Sequence, residues 1–253
     1  YMKKISALAL ALAFCLMLCA CGAEKSEDTA IGAFSGGYTY EESFEQDGKV
    51  YLTVKVEYPK MEGEEGRAGK VNAFFKEKLV REKEYIKSEI EPMARETAGH
   101  LAEDQSCAYE VKWERQRLDA DCLSVLCTTY QYLGGVHPGQ SLAAYNFDKE
   151  GGLITADRLF GMDHAEYSQR LRTLVLNKVD NVSADEQAQY GGYFEGWRDN
   201  MMEYWQPDDF LITDDGITIF WQEYAIAPYA AGMPRFDLSW EELDDMTAEE
   251  WRQ

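Results

Sequence analysis

Residues 131–140 read QYLGGVHPGQ and set His137, one of three histidines, between a glycine pair and a Pro-Gly. An imidazole so placed can act as a general base on a loop, as a metal ligand, or as a hydrogen-bonding member of the turn itself. The rest of the sequence offers the first two roles little support. There is no HExxH and no CxxC pair, and His100, His137 and His164 stand apart from one another. No GxSxG or SxxK marks a nucleophile. Cys107, Cys122 and Cys127 sit in apolar strand patterns, where a thiol is inert. With 46 acidic residues, carboxylate pairs at glycosidase spacing arise by chance and carry no argument without geometry. The chain is therefore not expected to be an enzyme, and neither a metal nor a cofactor is implied. His137 reads as a turn residue with a binding role open to it. The aromatic run YGGYFEGWRDNMMEYW (190–205) is a candidate platform for stacking on sugars. Phe194, Trp197, Met201 and Tyr204 fall at helical spacing and read instead as a core face, which leaves Tyr190, Tyr193 and Trp205 as candidates for exposure.

The elements that must position these residues follow from periodicity. YTYEESFEQDGKVYLTVKVEYP (38–59) alternates on both sides of Asp47-Gly48, a hairpin signal. Residues 70–98 carry Val71, Phe74, Phe75, Leu79, Tyr85, Ile86 and Ile90 at helical spacing, with Pro92 expected to end or kink the helix. Strands are expected on either side of Asp119-Ala120-Asp121 and again over 141–148, so His137 joins two strands. Helices are expected over 163–181 and 192–205. A second Asp-Gly hairpin centres on Asp215-Gly216, and a strand then runs into a short helix that Ser239 and Glu242 can cap. The class is α+β: antiparallel sheets, a long helix in the N-terminal half and two or three helices in the C-terminal half. Cys122 and Cys127 point to opposite faces of one strand and cannot easily bridge, although a disulfide from Cys107 stays open.

The N-terminus speaks about location. Lys3 and Lys4 precede an apolar run over 6–18 that is too short for a membrane span of roughly 20 residues, so it reads as a secretory signal. It ends in Leu18-Cys19-Ala20-Cys21-Gly22, which resembles a bacterial lipobox. That resemblance implies a signal peptide over 1–20 and diacylglyceryl lipidation at Cys21. Two acyl chains would hold the chain stably on the membrane. Residues 21–37 then read as a tether. The net charge is −21, or −23 once the two signal-peptide lysines are removed. A polyanion of this kind repels nucleic acid, which excludes that partner, while its field can steer in a cationic one.

Three stretches together resemble a known family. GGVHPGQ after a long strand resembles a turn in the extracellular domain of the anti-sigma factor RsiV, with Val136 and Pro138 departing from the usual pattern. FLITDDGITIFWQEYAIAPYAAGMPRFDLSWEEL (210–243) resembles that domain's C-terminal signature, including Tyr224, Pro228, Tyr229 and Gly232. YPKMEG and the long helix after it resemble the companion domain that RsiV shares with the peptidoglycan deacetylase PdaC. The resemblance implies a PdaC-like α+β domain over 38–150 and an RsiV-like α+β domain over 151–253. It also implies a lipid-anchored ligand-binding module on the outer face of a Gram-positive cytoplasmic membrane. The sequence shows neither a cytoplasmic sigma-binding segment nor the deacetylase's catalytic domain, so those activities are not carried over. The ligand implied is lysozyme or another cationic wall-active protein. Alternatives are a peptidoglycan-binding accessory module and, last, a wall hydrolase. The candidate contact residues are His137, Pro138, Tyr224, Pro228 and Tyr229.

Overall fold

The computed structural model describes residues 32–102, 104–181, 192–243 and 245–251. Cys21, the signal peptide, all of the tether before Gly32, and Tyr190 lie outside them. Two strands, β1 (Phe34–Gln46) and β2 (Lys49–Met61), form the expected hairpin, with Asp47 and Gly48 both at positive φ as a tight turn between twisted strands requires. β1 begins at Phe34, four residues inside the stretch read as tether. A helix then runs as α1 (Gly66–Tyr85), widens into a π turn (Ile86–Ile90) and continues as α2 (Glu91–Ala98). Pro92 does not end it. Proline in a helix removes one N–H and crowds the carbonyl four residues back. A π turn just before it loosens that geometry. Val71, Phe75, Leu79, Ile86, Ile90 and Ala94 face the sheet.

β3 (Cys107–Leu118), β4 (Cys122–Tyr132) and β5 (Gly139–Asp148) complete a five-stranded sheet in sequential order. The α+β class and the long helix are as the sequence predicts. Antiparallel pairing holds everywhere except between β2 and β3, which run parallel from Leu52↔Cys107 to Val56↔Val111. A helical crossover returns the chain to the end of the sheet it left, and that connection makes parallel neighbours.

The C-terminal half contributes α3 (Ala156–Phe160), α4 (His164–Asn181), α5 (Trp197–Asn200), the three-stranded sheet β6 (Phe210–Ile212), β7 (Gly216–Phe220) and β8 (Arg235–Ser239), and α6 (Trp240–Leu243). The helix expected over 192–205 is a single turn, α5, flanked by irregular turns. Its aromatic pattern also resolves differently. Trp205 is buried, Tyr193 is half-buried against Trp197, and Phe194 and Tyr204 are the exposed rings. The glycines around that run break the helical period, so spacing does not report which face packs inward.

The first six residues of β4, from Cys122 to Cys127, are all buried, because both faces are covered. Leu123, Val125 and Cys127 pack under the long helix, and Leu126 packs with Leu142, Leu211 and Phe220 beneath the second sheet. One buried amide ties the two sheets. Asn146 Oδ1 accepts from Ser124 Oγ (2.7 Å) and Ile212 N (2.9 Å), and its Nδ2 donates to Phe210 O (2.9 Å).

Candidate functional site

The β4–β5 turn is fixed from below before it meets anything else. Gly134 has φ +81°, and a Cβ there would lie 2.3 Å from Thr97 Cγ2 and 3.0 Å from Leu101 Cδ2. The turn therefore rests on the C-terminal end of α2 at a distance only glycine permits. At its apex Val136 is fully exposed. His137 follows. Its Nδ1 lies 2.9 Å from Pro138 O, and its Nε2 lies 2.9 Å from Tyr224 Oη. A carbonyl can only accept, so Nδ1 carries a proton, and in the neutral ring Nε2 then accepts from the tyrosine hydroxyl.

Tyr224 comes from the loop after β7. It is half-exposed and holds a left-handed φ of +63°, a conformation rare for a bulky residue. Further along, Pro228 precedes a 3₁₀ turn (Tyr229–Ala231) and presets its entry. Tyr229 stacks on His137 with centroids 3.8 Å apart and planes 20° from parallel. Tyr224 lies 6.2 Å from each of the other two rings, tilted 27° and 26°. The five candidate contact residues thus converge. Three rings form one near-parallel group, Pro138 supplies the carbonyl that fixes the imidazole, and Pro228 starts the turn that carries Tyr229.

The two loops are joined by side chains that sequence reasoning did not single out. Glu223 Oε2 accepts from Gln140 N (3.0 Å). Gln222 Oε1 accepts from Leu142 N (3.0 Å), and its Nε2 donates to Leu142 O (2.9 Å) and to Asp209 Oδ2 (3.0 Å). Burial raises the Asp209 carboxyl to about 6, with Asp208 adding to the rise and the Gln222 bond opposing it. No spacing rule marks a glutamine that pairs with a strand edge 80 positions away.

Other groups with chemical potential are engaged elsewhere. Cys107, Cys122 and Cys127 are free and buried; burial raises all three thiols, Cys122 to about 11 and Cys127 to about 12. Glu82 accepts from the hydroxyls of Tyr58 (2.8 Å) and Tyr109 under the sheet. An open groove of about 590 Å³ runs beside β7 and β8 and shares no lining residue with the ring group. Two of its three acids are partnered, Glu242 with Lys178 (2.8 Å) and Asp237 with the Thr218 hydroxyl (2.5 Å); Asp215 is the third. Beside His137 lies a groove of about 430 Å³ whose walls include Thr129, Gln131 and Gln140.

Residues 45–140 match the family model described as deacetylase PdaC, and residues 157–241 match that of a protein family of unknown function, DUF3298. A search of curated proteins found no match. Among solved structures, a DUF3298 family member from Bacteroides fragilis is similar at 20% identity and a TM-score of 0.62, over 87% of this chain and 95% of that one. A DUF3298 family protein from Pseudomonas aeruginosa is similar at 15% identity and a TM-score of 0.54, over 86% and 94%. At such identities the likeness speaks for the fold. The chain joins a PdaC-like N-terminal domain to a DUF3298 domain.

Proposed function

We propose that this chain is a non-catalytic ligand-binding module, anchored outside the cytoplasmic membrane through lipidated Cys21, that binds a cationic wall-active protein such as lysozyme. The observation that carries this reading is the meeting of two loops, 87 positions apart, in one surface group of exposed His137 and Tyr224 on a half-buried Tyr229. Rings clustered at a protein surface are characteristic of binding hot spots. The partner's sign follows from the net charge of −21, since complementary charge raises association rates and its effect falls with salt. Glu223 places one carboxylate on the joined loops themselves.

The test is a titration against hen lysozyme at low and at physiological salt, repeated with Tyr224→Ala. Saturable binding that persists at physiological salt and weakens at least tenfold in the variant supports the reading. Binding that disappears with salt, or is indifferent to Tyr224, sinks it. A wall-glycan ligand is the competing reading, favoured by the exposed rings of Tyr224, Phe194 and Tyr204. It predicts sedimentation with purified peptidoglycan and no lysozyme binding.

A further inference from the structure

The ring group has a foundation, and that foundation contains a group able to change charge. β5 is an edge strand. Its outward-facing backbone is satisfied piecemeal: Gln140 N by Glu223, Asn146 O by Ile154 N, Asp148 N by Gly152 O, and both polar groups of Leu142 by the Gln222 amide. Gln222 thus does at one point what a neighbouring strand would do along its length. It lies two residues before Tyr224, so the way it sits on β5 sets where the Tyr224 ring meets His137. Its second amide hydrogen goes to Asp209, a carboxylate only 8% exposed.

Asp209 is held in place by its backbone. Its carbonyl accepts from Phe220 N (3.1 Å) and from Trp205 Nε1 (3.3 Å), which ties the entry of β6 to the end of β7. The groups that face its carboxylate are Gln222 from the loop after β7 and Asp208 beside it in the chain. Among the described residues no Lys, Arg or His forms an ion pair with it. The charge is therefore balanced by one amide donor.

We propose that Gln222 is a positioning residue for the ligand face and that protonation of Asp209 loosens it, so that the face is held firmly near neutral pH and released by acid. The ionised carboxylate gives Gln222 a charge-assisted bond, about twice as strong as a neutral one. A proton on Asp209 removes that advantage: the bond to Asp209 is reduced to a neutral one, and the amide then depends mainly on its two bonds to Leu142. The elevated pKa puts the change between neutral and mildly acidic pH rather than in the range of an exposed aspartate. The clasp stands on geometry alone; its effect on binding rests on the ligand-face reading above.

The clasp and its consequence separate in one experiment. The backbone amide of Leu142 and the side-chain NH₂ of Gln222 are followed by NMR in the full chain between pH 4.5 and 8. The series is run in a His137→Gln background, so that no imidazole touches Tyr224. Both signals are expected to titrate together with a midpoint near 6, and to stay flat in Asp209→Asn. Signals that do not move between pH 5 and 7, or that still titrate in Asp209→Asn, overturn the proposal. Gln222→Met serves as a second variant: it leaves Asp209 in place but removes the amide that links it to β5, so the remaining signal, Leu142 N–H, should stay flat. Affinity for hen lysozyme, measured with His137 intact, should fall threefold to tenfold more between pH 7 and 5 in the native chain than in Asp209→Asn. An equal fall in both overturns the functional half. Absence of lysozyme binding at every pH would instead strike the ligand-face reading and leave the NMR result standing.

Discussion

Asp209 is a buried carboxylate that faces the Gln222 amide and a second acid, Asp208. A carboxyl with a folded pKa near 6, against an ordinary value of 3.8, binds its proton more tightly in the folded state than in the unfolded one. Ionisation above pH 6 therefore costs stability, and the cost is relieved as pH falls from 6 toward 4. Asp209→Asn should raise the melting temperature at pH 7.5 and leave it unchanged at pH 4, with a gain of at most about 3 kcal/mol for a shift of two units. Chemical denaturation of both proteins at the two pH values checks this; a gain equal at both would mean that the charge is not the cause. At the ring group, His137→Ala and Tyr224→Ala should each weaken lysozyme binding tenfold or more, about 1.5–2 kcal/mol. Together they should fall short of the sum, because the two side chains share one hydrogen bond. An isothermal titration series over the two single variants and the double variant measures the shortfall.

At the scale of elements, the recurring device is an amide side chain that stands in for a missing backbone partner. Asn72 on α1 accepts from Met61 N (2.8 Å) and donates to Met61 O (3.0 Å) and Gly63 O (2.9 Å), closing the end of β2. Asn146 joins β5 to β6, and Gln222 joins the last loop to β5. Removing such a group strands several buried polar atoms at once. Asn146→Leu should cost about 3 kcal/mol or more in urea unfolding, since Ser124 Oγ, Phe210 O and Ile212 N all lose a partner. Gly134→Ala should cost about 2 kcal/mol or more through both its positive φ and its clash with Thr97. Thr97→Ala in the same chain should recover the steric part only. These devices also mark the limit of what the sequence discloses. Alternation around Asp47-Gly48 and Asp215-Gly216 marks both hairpins, and helical spacing marks the inward face of α1 except for Tyr85, which is exposed, because those signals are local. The loops of His137 and Tyr224 were singled out by resemblance, and their meeting is a fact of tertiary packing. Nothing local to Asn146 or Gln222 distinguishes them from a surface amide. The parallel β2–β3 pair and the buried Trp205 escaped for the same reason: each depends on what arrives from far along the chain.

At the scale of the molecule, two cores share β4. The strand is covered by the long helix on one face and by the second sheet on the other, so neither core can open without exposing it. Heat or urea should accordingly unfold the chain in one transition, observed equally by tryptophan fluorescence and by circular dichroism. The three buried thiols should resist alkylation until that transition and react within it.

The sheet also has a direction. β1 starts at Phe34, paired with Met61, while the β1–β2 turn, Cys107 and the His137 turn gather at the opposite end. With strands of ten to thirteen residues, the two ends stand roughly 30–40 Å apart. From Cys21 to Phe34 the chain can reach at most about 45 Å. If the chain is moored at Cys21, its leash joins the end of the sheet opposite the aromatic group, which leaves the rings clear of the anchor and free to sweep a radius set by leash and sheet together.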